Sequence, residues 1–221
     1  MVCLANSFKK GGMCVAGKEV RESGYGGWIR PVSMRATAEL WPSEAQYANG
    51  RSPRVLDIID VPVIGATPLR HQSENYLIDD RGRWSKAGEI GGVELAEMFD
   101  EPASLWMNGE HSAAGCDRLN AREAARVRES LFLIRPEQFV IEVRRDARTK
   151  RKGYRGKFKY KGTQYNLSMT DPVVRGVFVA KAEGEYAVDA AYVCVSLTEP
   201  FRDRRCYKLV ASVISGERIK K

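Results

Sequence analysis

Short apolar runs alternate with glycine, proline and polar turns along most of the chain, a pattern typical of short β-strands. In the first half, the segment VCLAN predicts a strand, and the Gly-Gly signal in KKGGMCVAGKEV leads into a second strand. A glycine-rich bend, GYGG, is expected before the strand WIRPVS, whose proline favours a strand end or a sheet edge. The β-branched segment LDIIDVPV predicts one further strand.

The middle of the chain has a more helical pattern. The segment GGVELAEMFDEPASLW spaces its apolar residues partly at helical intervals, with Pro102 as an interruption. Asn120 followed by Glu123 is typical of a helix start, because each side chain can bond the backbone beside the other. This signal predicts a short polar helix, AREAARVRE.

The second half returns to strands. SLFLI and FVIEVRR bracket Pro136, and KGYRGKFKYKG and TQYNLSMT are expected to form a hairpin around residues 162 and 163. Asp171 and Pro172 predict a helix start, with the aspartate as cap. YAVDAAYVCVSL and YKLVASVI predict the last strands. A chain that is mainly β with short helices indicates small β-barrels, here with a boundary near residues 128–136.

The composition is that of a globular protein. The 221 residues are 43% hydrophobic and 29% charged, a length that suits two domains of roughly 100 residues each. No apolar run approaches the ~20 residues that cross a bilayer, and the start, MVCLANSFKK, does not resemble a secretion signal. Five widely spaced cysteines without a CxxC pair favour neither a disulfide framework nor a zinc site. We therefore expect a cytoplasmic protein with no membrane partner, metal or cofactor.

Positive charge is concentrated in one segment, residues 144–161, which we call the basic ribbon. It holds ten Lys and Arg against one Asp, a net charge of +9, whereas the whole chain carries +8. The remainder of the chain therefore sums to −1. Such a segment repels itself unless an anion neutralises it, and phosphates do so while releasing counterions. The predicted nucleic-acid-binding residues are Arg144, Arg145, Arg148, Lys150, Arg151, Lys152, Tyr154, Arg155, Lys157, Lys159 and Lys161.

Within the ribbon, the motif KFKYK alternates lysine with aromatic residues. Successive side chains of a strand point to opposite faces, so Phe158 and Tyr160 are expected on one face and the lysines on the other. One interpretation is a hairpin whose aromatics enter the core and whose lysines only protect a sheet edge. The arginine-rich stretch before the strand favours the other interpretation, in which phosphates bind the cations and Tyr154 stacks on a base.

Nearly the whole chain resembles the bacterial dual-OB domain proteins, in which two oligonucleotide/oligosaccharide-binding barrels are fused. The resemblance depends on VCLANSFKKGGMCVAGKEV, GGWIRPVS, LDIIDVPV, HQSENYLID, NLSMTDP, VCVSLTEPF and YKLVASVI, in this order. It implies two OB-like barrels: residues 1–130, with a helical insertion, and residues 131–221, with the basic hairpin 144–165. It also implies nucleic-acid or nucleotide binding, a function that the family is assigned from its fold.

The resemblance points to a second group of candidate residues. We predict a ligand-binding cluster of Asn6, Ser7, Lys9, Trp28 and Arg30. Short polar groups beside a glycine-containing turn suit an anion, and a ring and a guanidinium two residues apart share one strand face. The resemblance further implies Cys14, Gly17, Ser33, Gln72, Glu74, Asn75, Asn166, Thr170 and Asp171.

Three functions remain open from the sequence. The first is a nucleic-acid-binding module, with single-stranded DNA or RNA favoured because the aromatics need exposed bases. The second is a sensor of a nucleotide-like small ligand that reports to a partner protein. The third is a metal-dependent phosphodiester-processing enzyme, but the sequence contains no convincing catalytic motif. We expect a binding protein without catalytic residues.

Overall fold

The computed structural model describes residues 1–9, 11–146, 149–217 and 219, and its strands form two curled sheets. The first sheet contains β1 (Val2–Lys9), β2 (Gly12–Arg21), β3 (Gly24–Val32), β4 (Asp57–Asp60), β5 (Val63–Ala66), β6 (Asn75–Ile78) and β7 (Ser85–Glu89). The second contains β8 (Glu110–Ser112), β9 (Gly115–Leu119), β10 (Leu131–Ile134), β11 (Glu137–Arg145), β12 (Lys152–Tyr160), β13 (Thr163–Met169), β14 (Gly184–Ala187), β15 (Ala190–Leu197) and β16 (Cys206–Ser215). The described ranges also include the short helices α1 (Gly92–Leu95), α2 (Ala121–Ala124) and α3 (Pro172–Phe178).

The two sheets share a topological feature. The first has the strand order β5-β6-β3-β2-β1-β4-β7, and the second has β10-β15-β16-β13-β12-β11-β14, with β9 joined to β16 and β8 to β9. Each sheet contains three consecutive strands that pair antiparallel, β1, β2 and β3 in the first and β11, β12 and β13 in the second. The last strand of each set pairs in parallel with a later strand, β3 with β6 and β13 with β16. Letter matching within the sequence does not reveal this repeat.

One buried cluster extends through both sheets and joins them. It includes Leu4, Leu56 and Met98 from the first half and Leu133 and Tyr192 from the second. Backbone contacts reinforce this packing along β1, which lies against β16 and α3.

Hydrogen bonds cross between the halves at two points along β1. The Phe8 amide donates to the carbonyl of Thr170 over 3.1 Å, and the Ser212 hydroxyl donates to the carbonyl of Leu4 over 2.5 Å. Each bond fixes β1 against a segment of the second half of the chain. These contacts therefore fix the position of the first sheet relative to the second.

Most of the sequence-predicted strands are confirmed. The hairpin between β12 and β13 turns at Lys161 and Gly162, both with positive φ, one residue before the predicted position. Asp171 caps α3 as predicted, accepting from the amides of Val173 and Val174. Phe158 lies in the core, stacked against Tyr165, which confirms the predicted facing of the KFKYK motif.

Several local predictions are wrong. The GYGG segment belongs to β3 rather than to a bend before it, because its backbone pairs with β2. LDIIDVPV contains parts of two strands, since Val61 and Pro62 separate β4 from β5. The helix predicted after Asn120 ends within one turn, although its capping box forms. The strands β6, β7, β8 and β9 were not predicted, and β9 pairs with β16 of the second sheet. The boundary at residues 130 and 131 stays a prediction.

Candidate functional site

A cleft of about 1180 Å³ opens between the two sheets. One wall comes from the end of β1, from Cys14 of β2 and from Arg30 of β3. The other wall comes from β13, β15 and β16 and from the loop between β15 and β16, residues 198–205, which we call the 198–205 loop. The cleft is therefore built from segments almost 200 residues apart, and the packing of the two sheets creates it.

Two partly exposed phenylalanines line the cleft, one from each half of the chain. Phe8 is 52% exposed and Phe201 is 49% exposed. Phe201 contacts Tyr207 edge to face, with ring centroids 5.3 Å apart. Large apolar side chains are normally buried, so rings that remain half exposed in a concave site can accept a flat ligand.

The 198–205 loop holds Phe201 in a defined turn. The amide of Thr198 donates to the carbonyl of Tyr207 over 2.9 Å, and the amide of Arg204 donates to the carbonyl of Phe201 over 2.9 Å. The Tyr207 hydroxyl donates to Asp203 over 2.6 Å, which lowers the pKa of that carboxyl. These bonds fix the loop backbone before any ligand arrives.

Charged and hydroxyl groups complete the lining. Lys9 forms an ion pair of 2.8 Å with Glu199 across the cleft. Arg202 is exposed there and has no ion pair within the described ranges. The hydroxyls of Ser7, Ser168 and Thr170 also line the cleft. The cleft therefore presents apolar rings beside the Arg202 cation and several hydrogen-bonding groups.

A buried ion pair forms the floor of the cleft at Arg30. The Arg30 Nη1 atom lies 2.9 Å from Oε1 of Glu74, and Nη2 donates to the Ser130 hydroxyl over 2.8 Å. The same hydroxyl donates to Glu74, and Asn75 contacts the guanidinium at 3.4 Å. The Arg30 Nε atom is buried without a hydrogen-bond partner in the described chain. Arg30 is thus paired with the scaffold through Glu74 and Ser130, while its Nε donor remains unsatisfied among the described residues.

The predicted ligand-binding cluster is brought together only in part. Ser7, Lys9 and Arg30 line the cleft. Asn6 donates instead to the carbonyl of Pro53 over 2.8 Å, although its Oδ1 atom is buried and unpaired among the described residues. Trp28 lies outside the cleft, because its indole N–H donates to Asp100 over 3.1 Å and its ring packs against the shared core.

The other residues that the resemblance implied divide between the cleft and the scaffold. Cys14, Gln72 and Thr170 line the cleft. The others have local structural roles. Gly17 lies so close to the backbone of Val2 that a side chain would collide with it. The Ser33 hydroxyl donates to the carbonyl of Glu39, Asn166 accepts from Arg155, and Asp171 caps α3.

Several cations of the basic ribbon are already engaged within the protein. Arg155 is buried, where it contacts Asn166 and Ser168 and lies 3.5 Å from Asp117. Burial is the main cause that lowers its pKa. Lys157 forms ion pairs of 2.6 Å with both Glu142 and Glu185. Neither cation is placed for phosphate contact, because carboxylates distant in sequence neutralise them.

The remaining ribbon positions have mixed surroundings. Lys152 donates to the carbonyls of Val179 and Lys181, after the end of α3. Tyr154 is buried in a hydrophobic cluster of the second sheet that also contains Phe158 and Tyr165. Its ring therefore has no open face for the predicted stacking on a base. The exposed cations of the ribbon are Arg144, Arg145, Lys150, Arg151 and Lys161, whereas Lys159 is half-buried. Arg148 lies outside the described residues.

One arginine connects the cleft with the ribbon. The Arg175 guanidinium of α3 lies 5.6 Å from the ring centroid of Phe8 and 5.6 Å from that of Tyr154. The end of the cleft at Phe8 is thus continuous with the end of the ribbon at Lys152 and Tyr154.

The two cleft aromatics are not among the site residues predicted from the sequence. Phe8 and Phe201 were not selected, although both are aromatic residues next to runs of charge, FKK and FRDRR. An aromatic residue in a charged turn between two predicted strands is the signal that would have found them. Within the described ranges, His, Cys, Asp and Glu form no group of three or more suited to a metal ion. No helix in those ranges has the length and apolar character that a membrane span requires.

Comparison with known proteins gives one match. The model of a family described as DuOB, dual OB-containing domain, matches residues 1–213. No curated protein and no solved structure matches the chain.

Proposed function

The chain belongs to the dual OB-containing domain family, and from this premise we propose that it binds single-stranded nucleic acid in the cleft between its two sheets. The observation that carries the proposal is the pair of half-exposed rings, Phe8 and Phe201, in one cleft. Aromatic side chains in OB-fold grooves stack on successive bases with little sequence preference. The family alone leaves the function open, because one fold hosts many activities.

Base stacking selects single strands over duplexes. In a duplex, both faces of each base are already stacked, so a protein ring can reach a base only after the duplex opens. Phe8 and Phe201 lie in a concave site between two sheets, where an extruded base can present its face to a ring but a base stacked inside a duplex cannot. We therefore expect homopyrimidine single strands to bind more tightly than the corresponding duplex.

Phosphate contacts come from four cations that have no ion pair within the described ranges. Arg202 lies in the cleft, Arg175 lies beside Phe8, and Lys150 and Arg151 are exposed on the ribbon. For a single strand, the affinity falls with salt at a logarithmic slope of about −0.7 per neutralised phosphate, so four contacts give about −3. A ribbon with all ten cations available would give about −7. The salt slope therefore measures how much of the ribbon takes part.

The direct test is a fluorescence anisotropy titration with a labelled oligothymidine of about twelve nucleotides, a length within the range for OB folds. We expect Phe8→Ala and Phe201→Ala each to weaken binding by about 5- to 150-fold, since one stacked base contributes ~1–3 kcal/mol. The matched control is Trp41→Ala, which removes an aromatic residue of similar exposure, 53%, outside the cleft. Equal effects of the three substitutions, or none, contradict the proposal.

A nucleotide-like small ligand is the second candidate, and the unsatisfied Arg30 Nε atom favours it. A buried donor without a partner is costly, and an acceptor on a bound small molecule would satisfy it. The expected result is then tight binding of a mononucleotide, with little dependence on salt and no gain from a longer strand. Substitution of Lys150 and Arg151 by alanine should leave that affinity unchanged.

A further inference from the structure

A second cavity of about 730 Å³ adjoins the cleft on the other side of the 198–205 loop. Pro200 lines both cavities, while Arg70 and Arg204 line only the second one. Its remaining wall consists of His71 and small apolar residues in and after α2, such as Ala121 and Ala124. The loop therefore presents Phe201 to the cleft and Arg204 to the neighbouring cavity.

The charge of this cavity is entirely positive. Both arginines are exposed, and neither forms an ion pair with any residue of the described ranges. Among the described residues that line the cavity, none carries a negative charge. The two acids of the loop are engaged elsewhere, Glu199 with Lys9 and Asp203 with Arg205 and Tyr207. Charge of one sign against apolar walls focuses the electric field into a cavity.

Both arginines are carried by short, fixed turns. Arg70 lies between Leu69 and Gln72, whose backbones bond each other in both directions over 3.1 and 2.9 Å. Arg204 closes the turn that starts at Phe201. The backbones of Arg70 and Arg204 have φ values of 56° and 60°. The backbone from which each arginine side chain extends is thus fixed before a ligand binds. This reduces the conformational entropy that is lost on binding.

His71 ties the two turns together. Its Nε2 atom lies 3.0 Å from the carbonyl of Thr198, at the base of the 198–205 loop. Burial lowers the pKa of this imidazole below its ordinary value, which favours the neutral ring. The positive charge of the cavity therefore comes from the two arginines, and the histidine supports the loop.

We propose that Arg70 and Arg204 form a phosphate-binding subsite that receives backbone phosphates of a strand as it passes from the cleft across Pro200. This inference rests on the proposed function for its ligand. Guanidinium groups suit phosphate because their planar N–H donors match its oxygens in pairs. A base stacked on Phe201 would place the adjoining phosphates on either side of the loop, toward Arg202 in the cleft and toward Arg204 in the second cavity.

The test compares a short oligothymidine of about four nucleotides, which only fills the cleft, with one of about twelve, which also reaches the second cavity. We expect the double variant Arg70→Ala with Arg204→Ala to lose about tenfold in affinity for the longer strand, the effect of one charge-assisted hydrogen bond. Its salt slope should fall by about 0.7 per lost phosphate. Affinity for the short strand should not change. The matched control is Arg122→Ala, an exposed arginine on α2 that does not line the cavity.

A probe without bases separates failure of this subsite from failure of the proposed function. Inorganic pyrophosphate at low ionic strength should shift the arginine side-chain NMR signals of the wild-type protein, and the double variant should show no binding. If strands bind through Phe8 and Phe201 but the double variant behaves like Arg122→Ala, the subsite is overturned and the proposed function stands. If pyrophosphate binds through the two arginines and no strand binds, the subsite stands as a phosphate site and the proposed function fails.

Discussion

Replacement of Glu74 by glutamine should destabilise the protein far more than its conservative chemistry suggests. The side chains of Arg30 and Glu74 are 2% and 5% exposed, and their charged atoms lie 2.9 Å apart. Glutamine keeps the shape but removes the charge, so the Arg30 guanidinium becomes a buried cation without a counterion. Breaking a buried pair in this way costs about 3–5 kcal/mol. Because glutamine retains an oxygen that accepts from Ser130, we expect a value near ~3 kcal/mol.

Urea unfolding followed by circular dichroism measures the effect as a change in the free energy of unfolding. The matched control is Glu19→Gln, since Glu19 forms a comparable pair with Arg21 at 2.7 Å but the two side chains are 42% and 58% exposed. An exposed pair contributes ~0–1 kcal/mol, so the control should unfold almost as the wild type does. Because both variants replace glutamate by glutamine, the difference between their free energies of unfolding reports the effect of burial.

A double variant completes the argument. Arg30→Met combined with Glu74→Leu removes both charges and should be more stable than Glu74→Gln alone, because apolar replacement of a buried pair is often neutral or better. The reasoning is refuted if Glu74→Gln unfolds within about 0.5 kcal/mol of the wild type, the usual range of a surface substitution. It is equally refuted if the double variant is the least stable of the set.

Three other predictions follow from buried polar groups. Burial lowers the pKa of Lys208 from 10.5 to about 8. The unfolded chain therefore binds more protons between these values, and the stability of the wild type relative to Lys208→Met should rise by about 3 kcal/mol as the pH increases from 8 to 10.5 in unfolding titrations. Arg155→Ala should cost about 3 kcal/mol because it leaves Asp117 buried without its cation. An Arg155→Ala variant with the stability of the wild type would contradict that prediction. In contrast, the exposed Arg151 should be replaceable by alanine without loss of stability, and the salt slope of oligonucleotide binding should fall by about 0.7. Asp171→Ala should cost up to about 2 kcal/mol in thermal unfolding, since it removes the cap of α3.

Local sequence patterns predicted the longer strands and the caps at Asn120 and Asp171, because period-two alternation and capping depend on neighbouring residues. The alternation around Phe158 was sufficient to place its ring in the core, and Asp171 before Pro172 was sufficient to predict the start of α3. The β8–β9 hairpin escaped prediction because its short, polar strands have no apolar alternation. The pairing of β9 with β16 depends on contacts about 90 residues away along the chain.

The candidate site was harder to predict because it depends on long-range neutralisation and packing. Local charge counting cannot show that Glu142 and Glu185 pair with Lys157, or that Asp117 lies beside the buried Arg155. Nor can it show that Lys9 meets Glu199, 190 residues away along the chain. The ribbon therefore looked more available for phosphate than the structure leaves it, and the cleft that those contacts shape was not visible in the sequence.

Photo-cross-linking tests the central claim most directly, because it records which residues touch the bases. The protein would be irradiated with oligothymidine in low salt and digested, and the cross-linked peptides would be identified by mass spectrometry. The account predicts cross-links on the peptides that contain Phe8 and Phe201, lost in the Phe8→Ala and Phe201→Ala variants and retained in Trp41→Ala. Cross-links confined to residues 144–161, or to the surface around Trp41, would contradict it.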